Sequence, residues 1–230
     1  MGVDLIETLR STGAAREFRP DPVPDDVLAR VLDTARFAPS GGNRQAWHLV
    51  VVQDRDKRQR LRDIYLDTWY EYLAQGAAGL VAWAPVTDRD AEAAAVAKAD
   101  EMRQLAAAGP GGFAEHFDEV PVLLVLLADL RALAAIDRDL PRYTLAGGAS
   151  IYPFAWSILL AAREEGLGGV ITTMAIGREA DTKALFDVPD EYAVAAVIAL
   201  GYPTKQVTKL RRQSVAEFAT VDSFDGQPFG

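Results

Sequence analysis

The chain has 230 residues, a formal charge of −9, no cysteine and two histidines. At ~100–200 residues per domain this length allows one large domain or two small ones, with a core that needs no staples. Absent cysteine excludes a disulfide framework, a thiolate zinc site and a cysteine nucleophile; His48 and His116 stand in no metal-binding spacing, and the acidic balance lacks the basic face that nucleic acid requires.

The start, MGVDLIETLR, carries an early Asp and Glu in place of a signal-peptide apolar stretch, and Ile6 stands where a Met-Gly myristoylation signal needs Ser or Thr. Residues 25–35 place Val27, Leu28, Val31, Leu32 and Ala35 at helical spacing, after Pro24 and with Asp25 and Asp26 in the first turn. Pro39 ends that helix, and a Ser-Gly-Gly-Asn loop leads into a β-branched strand over 47–52. Asp54 is the expected N-cap of an amphipathic helix through Arg62, Tyr65 and Trp69.

Residues 76–118 are rich in Ala and Gly: a helix is expected over 91–108, broken by Gly109-Pro-Gly-Gly112. Low side-chain bulk suits a mobile excursion rather than a core layer. Buried strands follow at 122–128 and 193–200, the longest apolar runs, and neither reaches the ~18 residues of a bilayer span. Between them lie a helix over 150–165, apolar on nearly every face and capped by Ser150, a short strand from Val170, and a helix near 179–186. The polar tail after Gly201-Tyr-Pro203 keeps Val215, Phe218, Val221, Phe224 and Phe229, so it is expected to pack on something. With no repeat and no composition break, one α+β domain in the cytoplasm is the expectation.

Four segments offer chemistry. Ser40-Gly-Gly-Asn43-Arg-Gln45 joins a helix to a strand, with glycines that admit a ligand to the backbone and amides that match a heterocycle's edge, although ordinary turn chemistry explains the same residues. Lys209-Leu-Arg211-Arg212 is the strongest basic run in an acidic chain and has the cations to grip a phosphate, against a plain solvated run. Arg16 and the Gly168-Gly169-Val-Ile-Thr172-Thr173 stretch complete the set. Trp69, Tyr70 and Tyr72 are read as a cap over an aromatic substrate or as helix packing, and Phe113 and Phe117 sit in the expected lid with His116.

The order of these segments resembles the FMN-dependent nitroreductase family. The matching residues are Ala14-Ala-Arg16-Glu-Phe18, PDPVPDDVLARVLDTARFAPSGGNRQAWHLVVV over 20–52, SIYPFAWSILLAAREEGLGG from Ser150, LGYP at 200–203 and the basic run from Lys209. The resemblance implies a nitroreductase-like fold: a central mixed or antiparallel sheet flanked by helices, in an intertwined homodimer whose C-terminal extension (204–230) packs on the partner. It implies FMN at the interface, with Arg16 near N1 and the C2 carbonyl, Ser40, Asn43 and Gln45 along the ribityl and pyrimidine side, Thr172, Thr173 and the Met174 backbone near N5 and O4, and Lys209 and Arg211 on the phosphate.

The implied activity is NAD(P)H-driven ping-pong reduction of nitroaromatics, quinones or similar electron-poor small molecules, with no metal and no side-chain nucleophile. Residues 76–118 would form the substrate side. The alternatives are a same-fold flavoenzyme of dehalogenase-like, flavin-cleaving or dehydrogenating chemistry, and a flavin-poor binding module. The family's N-terminal motif usually reads Arg-Arg-Ser-x-Arg, its first Arg and its Ser helping to bind the phosphate, and here the corresponding positions are Thr12, Gly13 and Ala14, with Thr12 left to offer one hydroxyl. Losing one charged phosphate contact of ~1.5–3 kcal/mol would weaken FMN binding ~10–100-fold. Ala46 stands where the family often has Pro.

Overall fold

The long apolar runs become the middle of a sheet, because a strand covered on both faces needs no polar alternation. The computed structural model describes residues 4–230; Met1 and Gly2, on which the myristoylation reading rests, lie outside them. Strands β1 (Trp47–Val51), β2 (Val122–Asp129), β3 (Gly168–Thr172) and β4 (Tyr192–Gly201) pair antiparallel in the order β1-β2-β4-β3. Of the mixed and antiparallel possibilities, the antiparallel one forms.

Side-chain alternation on the two central strands divides the core. Leu124, Leu126, Ile198 and Leu200 face one layer, while Leu123, Val125, Val197 and Ala199 face the other. The helices are α1 (Leu5–Ser11), α2 (Asp25–Ala35), α3 (Arg55–Ala77), α4 (Arg89–Val96), α5 (Ala99–Ala107), α6 (Tyr152–Glu164), α7 (Glu179–Leu185) and α8 (Val215–Phe218). α2 and α6 cover the first face through Leu28, Val31, Phe154 and Ile158. α3 covers the second through Leu61 and Tyr65.

Local chemistry sets several helix starts as the sequence implied. The Asp54 carboxylate accepts the Lys57 N–H at 2.8 Å, and Gly166 stops α6 with φ +76°. Three expectations need correction. The helix expected over 91–108 is two, α4 and α5, parted at Ala97-Lys98. Helix α6 begins at Tyr152 after a short 3₁₀ turn, and Ser150 does not cap it: its Oγ accepts the Gly41 N–H at 3.0 Å. Nor is α6 buried all round, since Tyr152 and Trp156 are exposed.

The 76–118 excursion also contributes to the core. Phe117 is fully buried and stacks on Tyr65 at 4.4 Å, and Ala114 is buried beside it. At its other end the Trp83 N–H donates to the buried Gln75 side chain at 3.0 Å. The tail keeps its apolar residues in water on this chain: Phe224 is 95% exposed, and Val215, Phe218, Val221 and Phe229 are exposed as well. The apolar side of α1 (Leu5, Ile6, Leu9) is exposed too.

Candidate functional site

The centre of the site is a strap, residues 14–19, that meets the start of β3 at Gly169 and then pairs with residues 202–204 just after β4. Ala15 donates its N–H to the Gly169 carbonyl at 2.9 Å, Arg19 donates to the Tyr202 carbonyl at 2.8 Å, and Thr204 donates to the Glu17 carbonyl at 3.0 Å. The close approach requires small residues. A Cβ on Gly168 would lie 3.0 Å from the Ala15 Cβ, and one on Gly169 would lie 2.5 Å from the Ala199 carbonyl oxygen. These glycines serve backbone packing, and the Gly169 carbonyl is spent on the strap rather than offered to a ligand.

The strap holds Arg16 at the junction of two clefts. One, of about 520 Å³, is walled by Ala14–Glu17 on one side and by Lys205, Thr208 and Lys209 on the other. The second, of about 510 Å³, is walled by Trp69, Tyr72, Phe113, Glu115, Thr172 and Thr173. Arg16 makes no ion pair with any described residue, so its charge is open to both. At the floor of the second cleft the Thr172 hydroxyl donates to the Tyr65 hydroxyl at 3.2 Å. Burial pushes the Tyr65 phenol above its ordinary pKa, which keeps it neutral.

Several expected residues fall elsewhere. Thr12 is buried, and its hydroxyl donates to the Thr8 carbonyl at 2.8 Å, so it finishes α1 and does not face the cleft. Arg211 lines neither cleft and is exposed, whereas Lys209 lines the first. Tyr70 is turned into the protein and donates its hydroxyl to Glu115 at 3.1 Å, leaving Tyr72 as the aromatic beside Trp69. Lys205 and Glu115 were missed: neither belongs to a run or motif, and each reaches the site through a pairing distant in sequence.

Ser40, Asn43 and Gln45 form a separate feature. They surround a 3₁₀ turn (Gly41–Asn43) with left-handed backbone at Gly42 (φ +61°), Asn43 (φ +51°) and Gln45 (φ +49°). The Gln45 N–H donates to Ser40 Oγ at 2.9 Å, and Asn43 and Gln45 are exposed. This turn leads into β1, on the edge of the sheet opposite β3. Three strand spacings of ~4.8 Å put roughly 14 Å between those edges. One chain therefore brings Arg16, Lys209, Thr172 and Thr173 together and leaves Ser40, Asn43 and Gln45 apart. Among the described residues no group of three or more His, Asp or Glu is arranged to hold a metal ion, and no helix is long and apolar enough to cross a membrane.

A family model described as the nitroreductase family matches residues 9–202. The chain belongs to the nitroreductase family. An NADH dehydrogenase of Thermus thermophilus is 30% identical over 192 residues, 83% of this chain and 82% of the relative. Iodotyrosine deiodinase 1 of Rattus norvegicus is 25% identical over 205 residues, 89% of this chain; the chain spans 64% of that relative's length. In structure, this nitroreductase-family chain superposes on an oxidized iodotyrosine deiodinase bound to FMN and 3-iodo-L-tyrosine, with a TM-score of 0.64 and 23% identity. The overlap covers 96% of this chain and 100% of the other, and it shows the shared fold. The matched span ends just before the tail, so family membership rests on the sheet, its helices and the strap.

Proposed function

We propose that this chain is an FMN-dependent oxidoreductase that draws on NAD(P)H and reduces small electron-poor acceptors such as nitroaromatics or quinones. The observation that carries the reading is Arg16: an unpaired guanidinium where a lysine-lined cleft meets an aromatic-walled one. The donors fit an anionic, aromatic cofactor. Lys205 and Lys209 supply point charges for its phosphate, Arg16 supplies a cation for the electron-rich edge of its reduced ring, and Thr172 and Thr173 supply hydroxyls and backbone.

When bound, FMN would supply the redox chemistry between NAD(P)H and the acceptor, with the overall balance ArNO₂ + NAD(P)H + H⁺ → ArNO + NAD(P)⁺ + H₂O. The chain's own residues bind and orient. Arg16 would favour the negatively charged reduced ring over the neutral oxidised ring, which would raise its potential. Trp69, Tyr72 and Phe113 form an apolar wall against which a planar acceptor can stack. Tyr65, kept neutral, holds the Thr172 hydroxyl in place.

The functional unit in this reading is a homodimer. Ser40, Asn43 and Gln45 would complete a site on a second copy, and the exposed Leu5, Ile6, Leu9, Trp156 and tail aromatics would be covered by it. The visible spectrum of purified protein tests the reading, followed anaerobically after NADH or NADPH is added. A yellow protein that bleaches rapidly and runs as a dimer is expected. A colourless protein that takes up no FMN at micromolar concentration refutes it and leaves a binding module. A yellow protein that resists bleaching is a same-fold flavoenzyme of other chemistry.

A further inference from the structure

The aromatic-walled cleft contains one fixed negative charge that the reading above does not use. Glu115 lies in the turn before β2, and both of its oxygens are oriented by neighbours. Oε2 accepts the Gly112 N–H at 2.7 Å, and Oε1 accepts the Tyr70 hydroxyl at 3.1 Å. A carboxylate has about four acceptor positions, so two remain open. The cations nearby are already engaged. Arg103 covers the Tyr70 ring at 4.8 Å and is bonded to Asp67 at 2.7 Å, while His116 faces Glu119 and the Pro110 carbonyl. Among the described residues no Lys, Arg or His nitrogen lies within 4.0 Å of Glu115, which is only half-buried at the cleft wall.

The surrounding rings reinforce that charge. Trp69 and Tyr72 stack at 5.4 Å with 14° between their planes, and Phe113 lines the same cleft. Aromatic faces attract cations and gain nothing from anions. At the cleft floor Tyr65 experiences both ends: besides its burial, Arg16 lowers its phenol and Glu115 raises it. The cleft thus has a positive end at Arg16, which the cofactor would take, and a negative end at Glu115, with which no cation among the described residues pairs.

We propose that Glu115 is a specificity-determining residue that selects aromatic acceptors carrying a positively charged amine, binding the ammonium group between its carboxylate and the Trp69–Tyr72 wall. The proposal rests on the cofactor reading for its chemistry but not for its binding. Oriented by Gly112 and Tyr70, the carboxylate needs little costly reorganisation when an amine arrives, and it repels an acid of the same shape.

Two measurements test it. The first is equilibrium binding of benzylamine, benzyl alcohol and benzoate to the purified protein, read by tryptophan fluorescence. The expected order is amine over alcohol by about tenfold, with benzoate weakest, and Glu115→Gln brings amine and alcohol within about twofold while Glu115→Asp keeps part of the preference. The second is kcat/KM of the holoenzyme with 4-nitrobenzylamine, 4-nitrobenzyl alcohol and 4-nitrobenzoate, expected in the same order and with the same collapse in Glu115→Gln. Equal binding of amine and alcohol by the wild type, or a preference that survives Glu115→Gln, overturns the proposal. Amine selectivity in a protein that takes up no flavin sustains it and refutes the cofactor reading alone.

Discussion

Replacing Phe117 by Ala tests whether the 76–118 segment belongs to the cooperative core. The ring is fully buried, stacked on Tyr65 at 4.4 Å and edge-on to Phe113 at 5.4 Å. Truncating a buried Phe to Ala costs about 3–5 kcal/mol, from lost transfer free energy and the cavity left behind. For a chain of this size each kcal/mol moves the midpoint by about 2–4 °C, so Phe117→Ala is expected to lower Tm by roughly 6–20 °C. Phe117→Leu, which refills most of the space, is expected to cost about 1–2 kcal/mol. Calorimetric melts at one fixed protein concentration measure both. A single transition shifted as a whole is the expected outcome. A shift below about 2 °C, or a separate early transition with the main midpoint unmoved, would show that the segment unfolds on its own and that the packing argument is wrong.

Three further outcomes follow from the site and its supports. Lys205→Ala and Lys209→Ala should each weaken FMN about 10–100-fold, the loss of ~1.5–3 kcal/mol from a charged hydrogen bond, while riboflavin, which lacks the phosphate, binds almost unchanged; fluorescence titration reads both, and Arg211→Ala should change FMN binding less than threefold. Gly169→Ala should destabilise by about 1–3 kcal/mol in urea unfolding, because its Cβ would fall 2.5 Å from a backbone oxygen that cannot swing away. Asp137 is held down to about 2 by the Leu145 N–H first and then Arg142 and the Ala146 N–H, against an ordinary 3.8. Its folded pKa is depressed, so the stabilisation it gives is full above about pH 4 and disappears as pH falls from about 4 through about 2; in Asp137→Asn, urea midpoints measured at pH 5 and pH 3 should differ less than in the wild type.

The sequence made the sheet legible where composition alone decides it. Strands β2 and β4 are uninterrupted apolar runs, and residues such as Asp54 and Gly166 mark helix ends by local chemistry that needs no knowledge of the fold. Tertiary decisions were hidden. An Ala-rich stretch has no periodicity to reveal the break at Ala97-Lys98. Nothing local tells Ser150 to accept from Gly41, 109 residues away, rather than cap its own helix. The phase of α3 decides that Tyr72 lines the cleft while Tyr70 turns inward, and that phase is fixed by what Leu61 and Tyr65 bury. At the site, Arg16 and Lys209 were readable from charge and order. Lys205 was not, because the Thr204–Glu17 pairing beside it joins residues nearly 190 positions apart.

The 40–45 turn has a consequence beyond its geometry. Left-handed backbone at non-glycine residues such as Asn43 and Gln45 costs on the order of 1–2 kcal/mol each, and it persists only where neighbours over-determine it. Here the Ser40 and Ser150 hydroxyls and the Gln45 carbonyl, which accepts the Trp47 N–H at 2.7 Å, do that within the isolated chain. The backbone of the turn is thus shaped within one chain, and the entropy of shaping it is settled during folding. Ser150, which lies in another part of the sequence, thereby helps to hold the shape of a turn 109 positions away. A chain without that hydroxyl would leave the Gly41 N–H without this partner, and under the proposed cofactor reading the order lost from the turn would have to be restored on binding.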